Sequence, residues 1–231
     1  MNLNEYMPTR LQDATPIDEK SMDLQMSADF NKMVSQDYII YRPNIRYGMT
    51  KKLQLEVDAT LLSGSNEKDH GETQLGGLYQ FNESDNLIPV IAWNPMMIFP
   101  TGKSSEGLDF SHQIVLTSTL SGTSQKPKTQ IHLNGSWSRN NKARRDERKD
   151  AGLFIFGISQ LLHERAASII DILHEEESEK ESESNSLEAG VHLGLGNEYY
   201  LSLGAGLGFG GKSQKWNGLL AFEKQIDHIF Q

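Results

Sequence analysis

Two neighbouring segments carry the charged residues whose types and spacing indicate a binding or selection site. Arg42 and Arg46 lie four positions apart in the first segment, and Glu56 and Asp58 lie two apart in the second. Even spacing along a strand puts side chains on one face, so a hairpin of the two segments gathers all four on one face. The expected register pairs Arg46 with Gln54, Asn44 with Glu56 and Arg42 with Asp58.

Opposite charges on a shared wall have two physical roles. In a narrow passage they form a constriction that selects solutes by charge. As cross-strand ion pairs they brace the wall and offset the cost of removing each charge from water. The sequence favours the bracing role, and the constriction stays open as the alternative.

The other reactive side chains do not form a catalytic or metal-binding pattern. His132 and His192 fall on polar faces, but neither has further ligands at a spacing that indicates a metal. Ser111 and His112 are adjacent, and adjacent residues of a regular strand point to opposite faces, which separates a nucleophile from its base. The chain also has no cysteine. We therefore expect no enzyme activity, no metal site and no cofactor.

The elements that position these residues are β-strands. Residues 22–30, 53–61, 187–195 and 199–209 alternate apolar and polar side chains, and this period of two is typical of strands. Weaker strand segments lie near 87–99, 110–120, 151–160, 166–174 and 216–226. The pattern predicts an all-β, transmembrane, antiparallel up-and-down barrel of about twelve strands with a polar lumen, over residues 20–231.

The polar face of these strands supplies the candidate site. If the apolar face meets lipid, the polar face lines the lumen. The predicted pore-lining residues are Arg42, Asn44, Arg46, Glu56, Asp58, Gln74, His132, Asn134, Glu188 and His192.

Connections of alternating length predict two different rims. Short connections are expected near 48–52, 82–86, 161–165 and 196–198, and longer polar ones near 63–71, 100–109, 138–150 and 175–186. His174 and Glu175 are expected in a solvated connection. Short turns on one rim and long loops on the other are typical of bacterial outer-membrane barrels. The short-turn rim is then periplasmic, and an even strand count puts both termini there.

Strand length and aromatic placement favour lipid on the apolar face. The alternating runs are near the length that a tilted strand needs to cross a bilayer. Aromatic residues such as Tyr41, Tyr79, Trp137 and Phe209 gather near strand ends, as in the aromatic girdles of membrane barrels. A soluble β-barrel with its apolar face inward is the alternative, and a binding protein would be its function.

Three segments resemble one family of outer-membrane channels. They are the strand–turn–strand segment 41–57 with its Arg46-Tyr47-Gly48 turn, the Ile98-Phe99-Pro100-Thr101-Gly102 segment, and the glycine-rich strand 201–209. The sequence resembles the family named for the MetA pathway of phenol degradation. The resemblance implies a twelve-stranded barrel that admits small molecules, aromatic or hydrophobic ones among them. Lys103 departs from the family's usual acidic residue, and the chain ends on Gln231 rather than on an aromatic residue.

The polar N-terminal segment, residues 1–19, is not part of the strand pattern. It contains Pro8 and Pro16, and we expect an irregular arm that hangs in the periplasm or plugs the lumen. The first ten residues lack the basic and apolar regions of a signal peptide. A secreted chain is therefore expected to have had its signal peptide removed.

Two connections have opposite charge. A basic loop over 139–149 contains Arg139, Lys142, Arg144, Arg145, Arg148 and Lys149. An acidic loop over 175–183 contains Glu175, Glu176, Glu177, Glu179, Glu181 and Glu183. Solvated loops are the simpler interpretation. The alternatives are contact of the basic loop with lipopolysaccharide phosphates, and binding of divalent cations by the acidic loop or its pairing with the basic loop.

These features together predict an outer-membrane channel for passive uptake of small molecules. A non-conducting barrel that acts through its charged loops is the alternative. The net charge of −9 argues against a nucleic-acid partner. The expected partners are outer-membrane lipid, lipopolysaccharide and a small-molecule solute, and the expected state is a monomer.

Overall fold

The computed structural model describes residues 8–32, 37–64, 68–83, 88–102, 107–123, 126–143, 145–176, 183–196, 198–210 and 215–227. Twelve β-strands run through these residues. They are β1 (Met22–Lys32), β2 (Asp37–Thr50), β3 (Leu53–Gly64), β4 (Lys68–Gln80), β5 (Val90–Phe99), β6 (Asp109–Thr123), β7 (Lys126–Arg139), β8 (Asp150–His163), β9 (Ala166–Glu176), β10 (Glu183–Gly194), β11 (Tyr199–Phe209) and β12 (Trp216–Ile226). The predicted Lys103, Arg144, Glu177, Glu179, Glu181 and Gln231, with residues 1–7, lie outside the described residues.

The strands form one closed antiparallel barrel. Each strand pairs with its neighbours in sequence, and β1 pairs with β12 to close the ring. Closure gives every strand two partners, so no sheet edge is left with unpaired backbone groups. This confirms the predicted transmembrane up-and-down barrel.

Alternation along the strands puts apolar side chains outside and most polar ones inside. In β1, Asp23 and Ser27 are buried inside, whereas Met26 and Phe30 on the other face are 49% and 40% exposed. A soluble barrel with an apolar interior would show the reverse order, so the exterior is built to contact lipid. No helix in the described part of the chain is long and apolar enough to cross a membrane.

The two rims differ in their connections. The loop rim carries the connections 33–36, 65–67, 100–108, 140–149, 177–182 and 210–215. The turn rim carries the connections 51–52, 81–89, 124–125, 164–165 and 195–198, with the start of β1 and the end of β12. Five predicted connections were wrong in length: 48–52, 63–71, 161–165 and 175–186 are shorter because the flanking strands extend into them, and 82–86 is longer.

The charged hairpin has a different register from the predicted one. Strand β2 continues to Thr50, and a bulge follows Gly48, so Arg46 pairs with Glu56 and Asn44 with Asp58. The predicted pairs Arg46–Gln54, Asn44–Glu56 and Arg42–Asp58 were therefore wrong by two residues. A slip of two preserves the face of every side chain, so these residues still face the lumen.

Candidate functional site

The N-terminal arm lies inside the barrel. Leu11 and Ala14 are almost fully buried, and so are the polar residues Thr9, Gln12 and Asp13. A polar segment is buried to this extent only where its groups find partners. The wall of the lumen supplies those partners.

The arm crosses the lumen from the turn rim toward the middle of the barrel. At the turn rim the Lys20 amide donates to the Gly48 carbonyl at 2.7 Å. Farther in, the Ile17 amide donates to Gln54 Oε1 at 3.1 Å, and the Ala14 amide donates to Thr117 Oγ1 at 3.0 Å. These bonds attach the arm to β2, β3 and β6.

The far end of the arm reaches β9, β10 and β11. Arg10 forms ion pairs with Glu175 at 2.5 Å and with Glu188 at 3.5 Å. Pro8 lies so close to β11 that a Cβ added at Gly204 would be 2.0 Å from the Pro8 carbonyl oxygen. Glycine at this wall position therefore makes room for the arm.

Two apolar patches of the wall contact the arm. Leu11 packs against Ile155, Ile169 and Leu173, which are inward residues of β8 and β9. Ala14 packs against a second patch on β4, β5 and β6, formed by Leu78, Val90, Ala92 and Val115. Without the arm these inward side chains would face an aqueous lumen, so burial by the arm stabilises its docked position.

A cavity lies between the arm and the loop rim. Its volume is about 340 Å³, and Gln12 of the arm belongs to its lining. Most of the wall around it is polar, with Met96, Ile98, Ala151 and Leu153 as apolar members. We call this space the vestibule. The six predicted residues that line it are Arg42, Asn44, Arg46, Glu56, Asp58 and Gln74.

The charges around the vestibule are arranged in short-range pairs. Arg46 is 3% exposed and contacts Asp23 at 2.8 Å and Glu223 at 3.4 Å. Arg42 pairs with Asp29 at 3.5 Å. In the ion pairs found among the described residues, the arginines of β2 thus pair with carboxylates of β1 and β12, whereas the predicted ladder paired them with carboxylates of β3.

His132 and Asn134 are buried in the wall beside the arm. His132 Nδ1 lies 3.1 Å from Thr117 Oγ1, and its Nε2 lies 2.8 Å from Ser159 Oγ. Asn134 lies between Val115 and Ile155, which belong to the two apolar patches. Neither residue lines the vestibule.

Glu188 and His192 also lie away from the vestibule. Glu188 accepts a hydrogen bond from the Arg10 amide at 3.2 Å, so it holds the arm. His192 Nδ1 lies 2.7 Å from Ser202 Oγ, and its ring stacks on Tyr200. Among the described residues no group of three potential ligands is placed to hold a metal ion. That the ten predicted residues line a conducting path stays a prediction.

Ser111 and His112 lie on opposite faces of β6, as predicted. Ser111 lines the vestibule. His112 points outward and stacks between Trp93 and Trp137, with ring centroids 5.9 and 5.8 Å away. The two residues cannot act on one substrate.

Apart from Glu188, the residues that hold the arm were not among the predicted site residues. Leu11, Ile169 and Leu173 were not predicted to lie in the lumen, and Glu175 was predicted in a loop, whereas it lies in β9 and binds Arg10. One signal was available: residues 153–156 are apolar on both faces of their strand, and residues 169–173 are apolar on both faces except at Asp171. A strand apolar on both faces indicates a wall that is covered from both sides.

The comparisons with known proteins concern the fold. No protein-family model matches the chain, and no curated protein matches it. The KdgM porin in complex with disordered oligogalacturonate matches with a TM-score of 0.60 and 8% identity, over 91% of this chain and 99% of that chain. The NanC porin matches with a TM-score of 0.61 and 7% identity, over 87% and 97% of the two chains.

A third solved structure matches the chain with a lower score. The CymD monoaromatic hydrocarbon channel has a TM-score of 0.49 and 9% identity, over 90% of this chain and 88% of that chain. A score this low carries no argument for kinship. The chain therefore has the fold of outer-membrane porins and channels, and these comparisons establish the fold alone.

Proposed function

We propose that this protein is an outer-membrane channel for passive uptake of small molecules, and that its N-terminal arm closes the lumen in the conformation described. The observation that carries the proposal is the vestibule, a cavity of about 340 Å³ in which the arm residue Gln12 joins the lining. A closed twelve-stranded ring with a cavity at one rim needs only a displaced arm to become a through path.

Polar and apolar groups together define the size and kind of solute. Amide, hydroxyl and charged side chains form most of the vestibule wall, and Met96, Ile98, Ala151 and Leu153 form an apolar part. Small molecules that combine a polar group with an apolar part suit such a lining. Membership in the phenol-degradation channel family, with aromatic or hydrophobic solutes, is the narrower form of this proposal and rests on the three sequence segments.

The membrane context is part of the same proposal. The apolar exterior supports a position in the outer membrane, and we propose that the loop rim lies outside and the turn rim in the periplasm. Arg139 and Lys142 at the loop rim are exposed and suit contact with lipopolysaccharide phosphates. A closed sheet needs no partner strand, which favours a monomer.

One observation favours a second function, a non-conducting structural barrel. The arm is held by apolar contacts, backbone hydrogen bonds and the Arg10 ion pairs at the same time. A segment held in this way is suited to be a permanent part of the wall. The charged loops of the barrel would then carry the function.

Conductance in planar lipid bilayers separates the two functions. We compare the full chain with a variant that lacks residues 1–19, and folding of both is checked by their heat-modifiable migration in gels. The channel proposal expects larger and more frequent conductance steps from the shortened variant. A folded, shortened barrel that conducts no ions would contradict the channel and favour the structural barrel.

A further inference from the structure

The vestibule has an excess of negative charge, and this deepens the proposed function because it specifies the class of solute. Its lining contains two arginines, Arg42 and Arg46, and four carboxylates, Glu56, Asp58, Glu175 and Glu176. A cavity with walls of low dielectric strengthens the field of such charges. The sign of the solute that the cavity attracts therefore depends on which of these charges already have a partner of opposite charge.

The positive charges of the two arginines are compensated by carboxylates outside the vestibule. Arg46 contacts Asp23 and Glu223, and Arg42 contacts Asp29. None of these three carboxylates lines the vestibule. The positive charge of the arginines is thus compensated by groups that a solute in the vestibule does not meet.

Two of the four vestibule carboxylates also have cationic partners. Glu175 binds Arg10 at 2.5 Å, and Glu176 binds Arg148 at 3.5 Å. Glu56 and Asp58 take part in none of the ion pairs formed among the described residues. These two β3 residues are the vestibule carboxylates that form no ion pair within the described ranges, although the charges of Arg42 and Arg46 still act on Asp58.

Amide groups hold the β3 carboxylates in place. Asn94 Nδ2 donates to Glu56 Oε1 at 3.0 Å, and Asn44 Nδ2 donates to Asp58 Oδ1 at 2.5 Å. A carboxylate can only accept here, so each amide must turn its NH₂ group toward it.

The same geometry leaves two more acceptors. The Oδ1 atoms of Asn44 and Asn94 have no hydrogen-bond partner in the described part of the chain, and Asn94 is only 3% exposed. Both residues line the vestibule. A buried acceptor without a partner is costly; both oxygens are covered in the conformation described, so a solute with N–H donors relieves that cost only where the amides turn toward the vestibule.

We propose that the vestibule selects small organic cations, with primary ammonium groups as the preferred chemistry, and that Glu56 and Asp58 determine this specificity. An ammonium group supplies positive charge and three donors, which matches the two carboxylates. Anions meet the same field as a barrier.

Reversal potentials in a potassium chloride gradient test the selectivity. The full chain and the variant lacking 1–19 are expected to pass potassium in preference to chloride. Glu56→Gln with Asp58→Asn keeps size and hydrogen bonding but removes both charges, and should lower the preference by about fivefold per charge. Glu164→Gln, an exposed residue of a turn-rim connection, is the matched control and should change nothing.

Calorimetric binding to the full chain in detergent provides a measurement that needs neither conductance nor a variant. Butane-1,4-diammonium should bind, and succinate, with the same length and opposite charge, should not. Equal binding of both ions, or stronger binding of succinate, overturns the cation proposal. A channel that conducts without preference for cations also overturns the cation proposal. In that case the proposed channel function still stands. A barrel that binds the diammonium but conducts in no form refutes only the channel.

Discussion

Two walls of the barrel, half a turn apart in strand order, are stabilised in different ways. The wall of β1–β3 is polar inside, and its charges pair within the wall, as Arg46 does with Asp23. The wall of β8 and β9 has an apolar patch on its inner face, where Ile155 and Ile169 are buried against Leu11 of the arm. The first wall is stabilised mainly by pairs between strands, whereas the apolar patch of the second is covered by a segment from outside the sheet.

The difference teaches which changes damage the barrel and which release the arm. An ion pair buried in the sheet supports the sheet, so its loss weakens the barrel itself. An apolar contact between wall and arm supports the docked arm, so its loss leaves all strand pairing intact. The following changes test that separation, in decreasing order of expected effect.

The largest effect is expected from Arg46→Ala in the polar wall. It leaves Asp23 and Glu223 as buried charges without their cation, which costs about 3–5 kcal/mol. Urea unfolding of the barrel in lipid vesicles should show this loss. Arg139→Ala is the control: its pair with Asp150 is about half exposed at 3.9 Å, and such pairs contribute about 0–1 kcal/mol. Similar losses for both variants would contradict the importance of the buried pairs.

The next effect is expected from Leu11→Ala in the arm. Removing a buried leucine side chain costs about 2–5 kcal/mol, and here the loss falls on docking of the arm. Trypsin cleavage after Arg10 in folded protein should become faster by tenfold or more, as about 1.4 kcal/mol already corresponds to a factor of ten.

The barrel should keep its urea midpoint in Leu11→Ala. Leu55→Ala is the matched control, because Leu55 points outward and is 43% exposed; it should leave the cleavage rate unchanged. If Leu11→Ala lowers the midpoint of the barrel and leaves cleavage unchanged, the arm is part of the wall and the two-wall distinction fails.

A smaller effect on the arm is expected from Gly204→Ala. The added methyl group would meet the Pro8 carbonyl oxygen, and the nearest wall atom is 3.6 Å away on Leu219. Overpacking of this kind costs about 1–3 kcal/mol, and the arm can relieve it by moving. Cleavage after Arg10 should rise, while Gly135→Ala, which meets nothing within 4 Å, should leave it unchanged. Equal cleavage in both variants would show that Pro8 does not contact β11.

The sequence predicts most of the fold because strand alternation is local. Residues such as Asp23 and Met26 reveal their faces through their immediate neighbours, so the strand number and the inward side of Arg42, Arg46, Glu56 and Asp58 follow directly. The exact pairing does not follow in the same way. The position of the turn at 51–52 and the bulge after Gly48 together shift the hairpin by two residues, and alternation with a period of two is unchanged by such a shift.

The arm and its site were much less predictable. Leu11, Ala14 and Ile17 recur at intervals of three, which matches neither a strand nor a full amphipathic helix, so no local pattern shows where they pack. The sequence signal for the site of the arm lies instead in the wall, where Ile169 and Leu173 are apolar residues on the inner face of β9. Contacts between residues far apart in sequence, such as Arg10 with Glu175 and Glu188, require the folded structure.

The central claim is that the arm closes the lumen and that its displacement opens it. The chain has no cysteine, so Ala14→Cys with Thr117→Cys creates a single possible disulfide between arm and wall, at a point where the Ala14 amide lies 3.0 Å from Thr117 Oγ1. Bilayer conductance of this variant is measured before and after reduction, with each single cysteine variant as control. We predict that the oxidised variant stays closed and that reduction restores the conductance of the parent chain. An oxidised variant that conducts as well as the reduced one would contradict the claim.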